Sequence, residues 1–153
     1  MNWIKIVGSG LSGTTAMTLF SYLASEVEKE QFREPQLLGA MMAPSGPGWR
    51  RPKNQAYLSG GYLAHFAVGV LFVAGYDLLW QKHIGRPDAK NALLLGAVNG
   101  LVGAGVWRTV LALHPRPPRI SVRRFLGHII LAHGVFGLAA TETYRQMSRK
   151  HQV

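Results

Sequence analysis

Residues Asn54 to Tyr76 read NQAYLSGGYLAHFAVGVLFVAGY, an unbroken run without Asp, Glu, Lys or Arg. A soluble amphipathic helix places a charge or strong polar group on its wet face every turn or so. This run does not, and it is as long as the ~20 residues a helix needs to cross a hydrocarbon core. Three further windows are equally free of charge: Val7 to Ser25, Asn91 to Trp107 and Phe125 to Thr141. The charges sit between them in clusters. The chain therefore reads as all-α, one membrane domain over residues 1–153. The expected fold is a four-transmembrane-helix bundle with helices over about 4–25, 57–80, 91–113 and 122–146, and a polar, interfacial segment over 26–56.

Composition fits that reading. Lys and Arg number 17 against 7 Asp and Glu, a formal charge of +10. In a soluble chain such an excess points first to nucleic acid. Here the cations flank the apolar runs, where Lys and Arg meet lipid phosphates, so the expected partner is the bilayer and not nucleic acid. The chain has no cysteine, which removes disulfides, thiol catalysis and Cys-based metal sites. The N-terminal run lacks a clear small-x-small cleavage pattern, so it reads as an uncleaved first helix and not as a signal peptide.

Glu26, Glu28, Lys29, Glu30, Arg33 and Glu34 suit a solvated extension of the first helix. Pro35 breaks or restarts it, and Gln36 to Met42 is expected along the interface. Pro44, Gly46, Pro47, Gly48 and Pro52 mark an irregular loop. Trp49, Arg50 and Arg51, with Trp80 at the opposite boundary, read as interface anchors.

An internal repeat is visible. Leu63-Ala64-His65 recurs as Leu131-Ala132-His133, each followed by Gly at four residues (Gly69, Gly137) and Tyr at eleven (Tyr76, Tyr144). A weaker echo sets Gly10-x-x-Gly13 against Gly100-x-x-Gly103. Two hairpins related by a pseudo-twofold axis along the membrane normal are the expected arrangement.

Gly8-Ser9-Gly10-Leu11-Ser12-Gly13 matches a dinucleotide-binding turn. No second strand or βαβ alternation follows, so close helix packing through small residues is the better reading. Ser9, Gly13, Gly69, Gly96, Gly100, Gly103 and Gly137 are the expected packing positions.

The sharper candidate is a polar layer within the membrane, since ionisable residues there are functional candidates by default. Let side one be the face carrying the 26–56 segment and the 114–124 loop. Counting inward, His65, His133, Arg108 and Thr18 fall at similar depths. In one reading Arg108 snorkels to the phosphates and the histidines bond to neighbours. In a second, Arg108, His65, His133 and Thr18 form an anion or lipid-headgroup site, or a small transporter's pathway. In a third, His65 and His133 are axial ligands of a b-type haem. No metal site and no nucleophile–base set is readable, and an enzyme is not expected. On side two, Asp77 and Glu142 lie near Lys5, Lys82 and Arg145 as ordinary surface pairs. The count of flanking cations leans to side one as cytoplasmic.

Three stretches carry a resemblance: Ser12-Gly13-Thr14-Thr15-Ala16-Met17-Thr18-Leu19-Phe20-Ser21-Tyr22, Gln31-Phe32-Arg33-Glu34-Pro35, and Ala112-Leu113-His114-Pro115. The chain resembles small, uncharacterised four-helix integral membrane proteins of Bacteroidetes-type bacteria. That resemblance implies a multi-pass protein of the bacterial inner membrane and carries no activity or cofactor. The expected function is a structural or accessory subunit that packs against itself, as a homo-oligomer, or against a larger membrane complex.

Overall fold

Asn2 starts the first helix. Its side-chain oxygen accepts a hydrogen bond from the Lys5 amide at 3.3 Å, the N-cap arrangement that satisfies an orphan donor. In the computed structural model, which describes residues 2–42, 55–115 and 117–149, this helix is α1 (Trp3–Glu28) and ends on Lys29 in the left-handed region at φ 55. Four more helices follow: α2 (Glu34–Met42), α3 (Gln55–Gln81), α4 (Ala89–Leu113) and α5 (Val122–Arg149). Among the described residues there is no strand. Asp88 caps α4 by accepting from the Asn91 amide at 2.8 Å. The anchors expected at Trp49, Arg50 and Arg51 lie outside the described residues.

Three helices, α3, α4 and α5, are long and apolar enough to cross a membrane. Their apolar surface faces outward: only 11% of the apolar window of α4 is buried within the protein. Leu63, Leu71, Leu101, Leu113 and Leu131 are all exposed. A water-soluble bundle would bury that surface, whereas lipid tails solvate it. α1 is equally long but less apolar. Its Ile6, Ser9, Gly10, Gly13, Thr14, Met17, Ser21 and Ser25 form a buried stripe at helical spacing, and the small polar members of that stripe lower its hydropathy.

The helices stand in a curved row, α3, α1, α5, α4. α1 packs on α3 and α5, α5 packs on α1 and α4, and α2 lies against α3. Bare backbones set these distances. A Cβ on Gly61 would fall 2.2 Å from Pro35 O, and one on Gly137 would fall 2.3 Å from Ala92 O. One apolar core gathers Ile6, Met17, Val73, Tyr76, Ala132, Phe136 and Ala140. A second, nearer side one, gathers Phe32, Leu37, Leu111, Phe125 and Ile129.

Two features differ from the expected arrangement. The 26–56 segment holds a fifth helix, α2, whose Leu37 and Gly39 are buried against the bundle. Pro35 sits in the first turn of that helix, where its missing N–H costs little. The pseudo-twofold axis is not expressed in the packing. α1 packs on α3 and α4 on α5, as two hairpins would, but the close α1–α5 contact has no counterpart between α3 and α4. Gly10 lies against Val70 while Gly100 lies against Ile130, and the sequence repeat equates Val70 with Leu138. Ile4 to Val7, which a dinucleotide turn would need as a strand, forms the opening turns of α1, as the helix expected over about 4–25 requires.

Candidate functional site: a lateral cleft between α3 and α4

Because α3 and α4 stand at the two ends of the row, a gap remains between them. Asn99 Nδ2 donates to Tyr76 Oη at 2.8 Å and ties the two helices toward side two. Toward side one they part around a cleft of about 230 Å³. His65, Val68, Gly69 and Phe72 of α3 form one wall; Val102, Gly103, Val106, Trp107 and Val110 of α4 form the other. Thr14 and Met17 of α1 and His133 and Phe136 of α5 make the back, and Glu34 and Leu38 of α2 reach it from side one. The rim residues Val68, Val102 and Val106 are exposed, so the cleft opens sideways from the bundle.

The cleft is apolar except at a few oriented groups. His133 Nδ1 donates to Ile129 O at 2.8 Å, because a carbonyl can only accept. That fixes the tautomer and leaves Nε2 as the acceptor, beside Gly103. His65 Nε2 lies 3.3 Å from Thr18 Oγ1. Thr14 Oγ1 is buried without a hydrogen-bond partner.

Glu34 is the least expected member. Sequence placed it in a solvated stretch, yet it is 2% exposed. Ser21 Oγ donates to its Oε1 at 3.3 Å, while Oε2 is buried without a partner. Burial pushes the carboxyl up from its ordinary value of 4.5 to about 8, against the smaller opposing effect of its hydrogen bonds, so it is mostly protonated at neutral pH. His128, buried on α5, has Nε2 at 2.9 Å from Ser21 Oγ, and its ring stacks on Phe32 and Phe20 at 4.4 and 5.3 Å. Glu34, Ser21 and His128 do not form a nucleophile–base–acid set. In such a set the acid orients the imidazole, whereas here the carboxyl bonds to the serine.

The structure brings Thr18, His65 and His133 to one level and leaves Arg108 out. Arg108 is exposed on α4 and does not line the cleft. The α4 face toward the cleft is Gly103, Val106, Trp107 and Val110, and a helix turns about 100° per residue, so Arg108 points away beside it. Its long side chain suits the headgroup region near the α4 end. For a haem, both histidines would offer Nε2 to a shared iron, yet Nε2 of His65 is engaged by Thr18 in either tautomer. Among the described residues no group of three or more His, Cys, Asp or Glu could hold a metal ion.

Of the packing residues, Gly13 faces Phe136 and Ala140, Gly69 faces Thr14, and Gly96 and Gly100 face the α5 backbone at His133 and Ile130. Ser9 is fully buried. Trp80 does not serve as an outward anchor: it packs inward on Tyr144 and Tyr76 at 4.7 and 5.7 Å. On side two, Asp77 is buried and accepts from Tyr144 Oη and Gln81 Nε2, while Glu142 pairs with Arg145 at 3.1 Å. Asp77 is therefore not the surface ion pair expected from its position.

No family model, curated protein or solved structure matches this chain.

Proposed function

We propose that this chain is a non-enzymatic, four-pass membrane protein that holds a lipid-soluble molecule in the cleft between α3 and α4. α1 supplies the fourth crossing. Its 26 residues reach about 39 Å at 1.5 Å per residue, and its polar stripe faces other helices. The observation that carries the reading is the cleft itself, apolar, open at an exposed valine rim, and with His65, His133, Thr14 and Glu34 among its lining residues. The anion-site reading loses its cation, since Arg108 faces elsewhere.

Native mass spectrometry of the detergent-purified protein tests this. An apolar molecule should co-purify and be lost in Val106→Phe, which fills the rim without entering the core. Identical adduct masses in both proteins would sink the proposal.

A second reading, an accessory subunit packed against another membrane protein, draws on the outer face of α5. Gly127, Leu131, Gly134 and Leu138 share that face, and nothing lies within 4 Å of a Cβ added at either glycine. Small residues on a lipid-facing stripe let another helix approach closely. A single monomer mass at all detergent-to-protein ratios, with no partner retained on purification, would count against it.

A further inference from the structure

Arg108 stands on the side of α4 turned away from the cleft. Asn99, which bonds to Tyr76 of α3, lies nine residues earlier, and at about 100° per residue Arg108 is half a turn round from it. Ala104, one turn before Arg108, packs against the core that holds Phe125 and Ile129 of α5. Arg108 therefore borders the seam with α5 on its outer side. Arg123 borders the same seam from α5. It lies two turns before Ile130, whose Cα would stand 2.8 Å from a Cβ on Gly100. The two helices run antiparallel. From the Gly100–Ile130 contact, eight residues along α4 reach Arg108 and seven back along α5 reach Arg123, about 12 and 10.5 Å at 1.5 Å per residue. The rings of Trp107 and Phe125, 5.1 Å apart, fit the same register. The two arginines thus flank one seam at one level.

Both are exposed. Among the described residues neither forms an ion pair, whereas neighbouring Arg124 is matched by Glu30 at 3.1 Å. No Asp or Glu lies on α4, and the only one on α5, Glu142, pairs with Arg145 toward the far end of that helix. Like charges held at one level repel, and an anion shared between them offsets this. Arg108 lies five residues short of Leu113, about 7.5 Å below the helix end, a depth from which a guanidinium reaches the phosphate level. Farther into the membrane the seam is apolar and open. Leu101 is exposed on α4, and a Cβ on Gly127 or Gly134 of α5 would have nothing within 4 Å. We propose that this outer seam binds one anionic phospholipid. Arg108 and Arg123 hold its phosphate through paired N–H donors, and its acyl chains lie along Leu101, Gly127 and Gly134.

The seam is separate from the cleft, which opens on the other flank of α4 through Val102 and Val106. A zwitterionic lipid also carries a phosphate, but its own cation offsets the attraction of two arginines. A transmembrane helix on the same seam would have to bring a carboxylate to their depth. Placing that charge in a membrane is costly, whereas a lipid phosphate already stands at the surface.

The test is native mass spectrometry of the full chain, purified in detergent and equilibrated with equimolar dioleoyl phosphatidylglycerol and dioleoyl phosphatidylcholine. We expect one phosphatidylglycerol to be retained in preference to phosphatidylcholine. Arg108→Gln and Arg123→Gln should each lower that preference about fivefold, the scale of one cation at a membrane surface, and the double variant should abolish it. Arg123→Lys, which keeps the charge without the paired donors, should fall between. Arg86→Gln, on side two, should change nothing. Gly127→Leu fills the seam without a clash and should weaken retention, and an excess of inorganic phosphate should not displace the lipid. Far-UV spectra check that each variant is folded. A double variant with the preference of wild type overturns the proposal. An equal loss in Arg86→Gln also overturns it, since net charge alone would then be read, and so does displacement by inorganic phosphate. If Val106→Phe removes the phosphatidylglycerol, the lipid lies in the cleft and the seam site falls. An oligomer that Gly127→Leu dissociates, with lipid retention unchanged, would give the seam to a second helix instead.

Discussion

Glu34 makes a quantitative demand on stability. Its carboxyl is raised from 4.5 to about 8 by burial, and it is almost completely enclosed, so little solvent screening intervenes. Folded protein holds the proton more tightly than unfolded protein. Unfolding therefore releases a proton between the two values, and stability falls as pH rises across that window. The full difference is present below pH 4.5 and has been lost by about pH 8. At about 1.4 kcal/mol for each tenfold change in proton affinity, the span is on the order of 5 kcal/mol, an upper limit because local relaxation admits water. Glu34→Gln has no carboxyl to ionise and should be flat across the same range. The assay is thermal denaturation in detergent from pH 5 to 9, read by the fraction that remains monodisperse on gel filtration. Wild type should lose several degrees relative to Glu34→Gln between pH 5 and 9, with the two curves converging toward acid. Parallel curves, or a wild type that gains on the variant with rising pH, would refute the buried neutral acid.

Other outcomes follow from the packing. Gly137→Ala puts a methyl 2.3 Å from Ala92 O and should destabilise by about 1–3 kcal/mol, while Gly105→Ala, with nothing within 4 Å, should be neutral or slightly stabilising; equal melting shifts would contradict the α4–α5 interface. Tyr144→Phe strips one donor from the buried Asp77 and should cost about 1–3 kcal/mol, measured in the same assay. Arg108→Leu should leave the co-purifying apolar molecule bound, since its side chain does not line the cleft; loss of that molecule would restore the Arg/His layer. Protein purified from haem-replete cells should show no Soret band, and a band that vanishes in His133→Ala would establish haem against this geometry.

The helical class was legible because missing charge is a local signal. Four uncharged windows mark four long helices, and three of them meet the length and apolarity needed to span. α2 was hidden because Glu26 to Glu34 looks like a solvated charge run. Glu34 bonds to Ser21, which His128 meets from the far end of the chain, and no local pattern carries that. Depth was easier to read than direction. Thr18, His65 and His133 were placed at one level by counting, and the same counting swept in Arg108. The spacing Gly103, Val106, Trp107, Val110 would have shown which face of α4 turns inward, and Arg108 is not on it. The Leu-Ala-His repeat is real as text, but its two copies meet different neighbours. Gly69 sits on Thr14, whereas Gly137 sits on the Ala92 carbonyl, so shared words do not produce shared packing.

The Tyr76–Asn99 hydrogen bond closes the gap between α3 and α4 on the side where the short 82–88 connection joins them. Among the described residues the cleft thus lies on the side-one side of that tie. On the binding reading proposed above, a guest would enter and leave by the valine rim, so the shape suits a protein that shelters or presents what it holds.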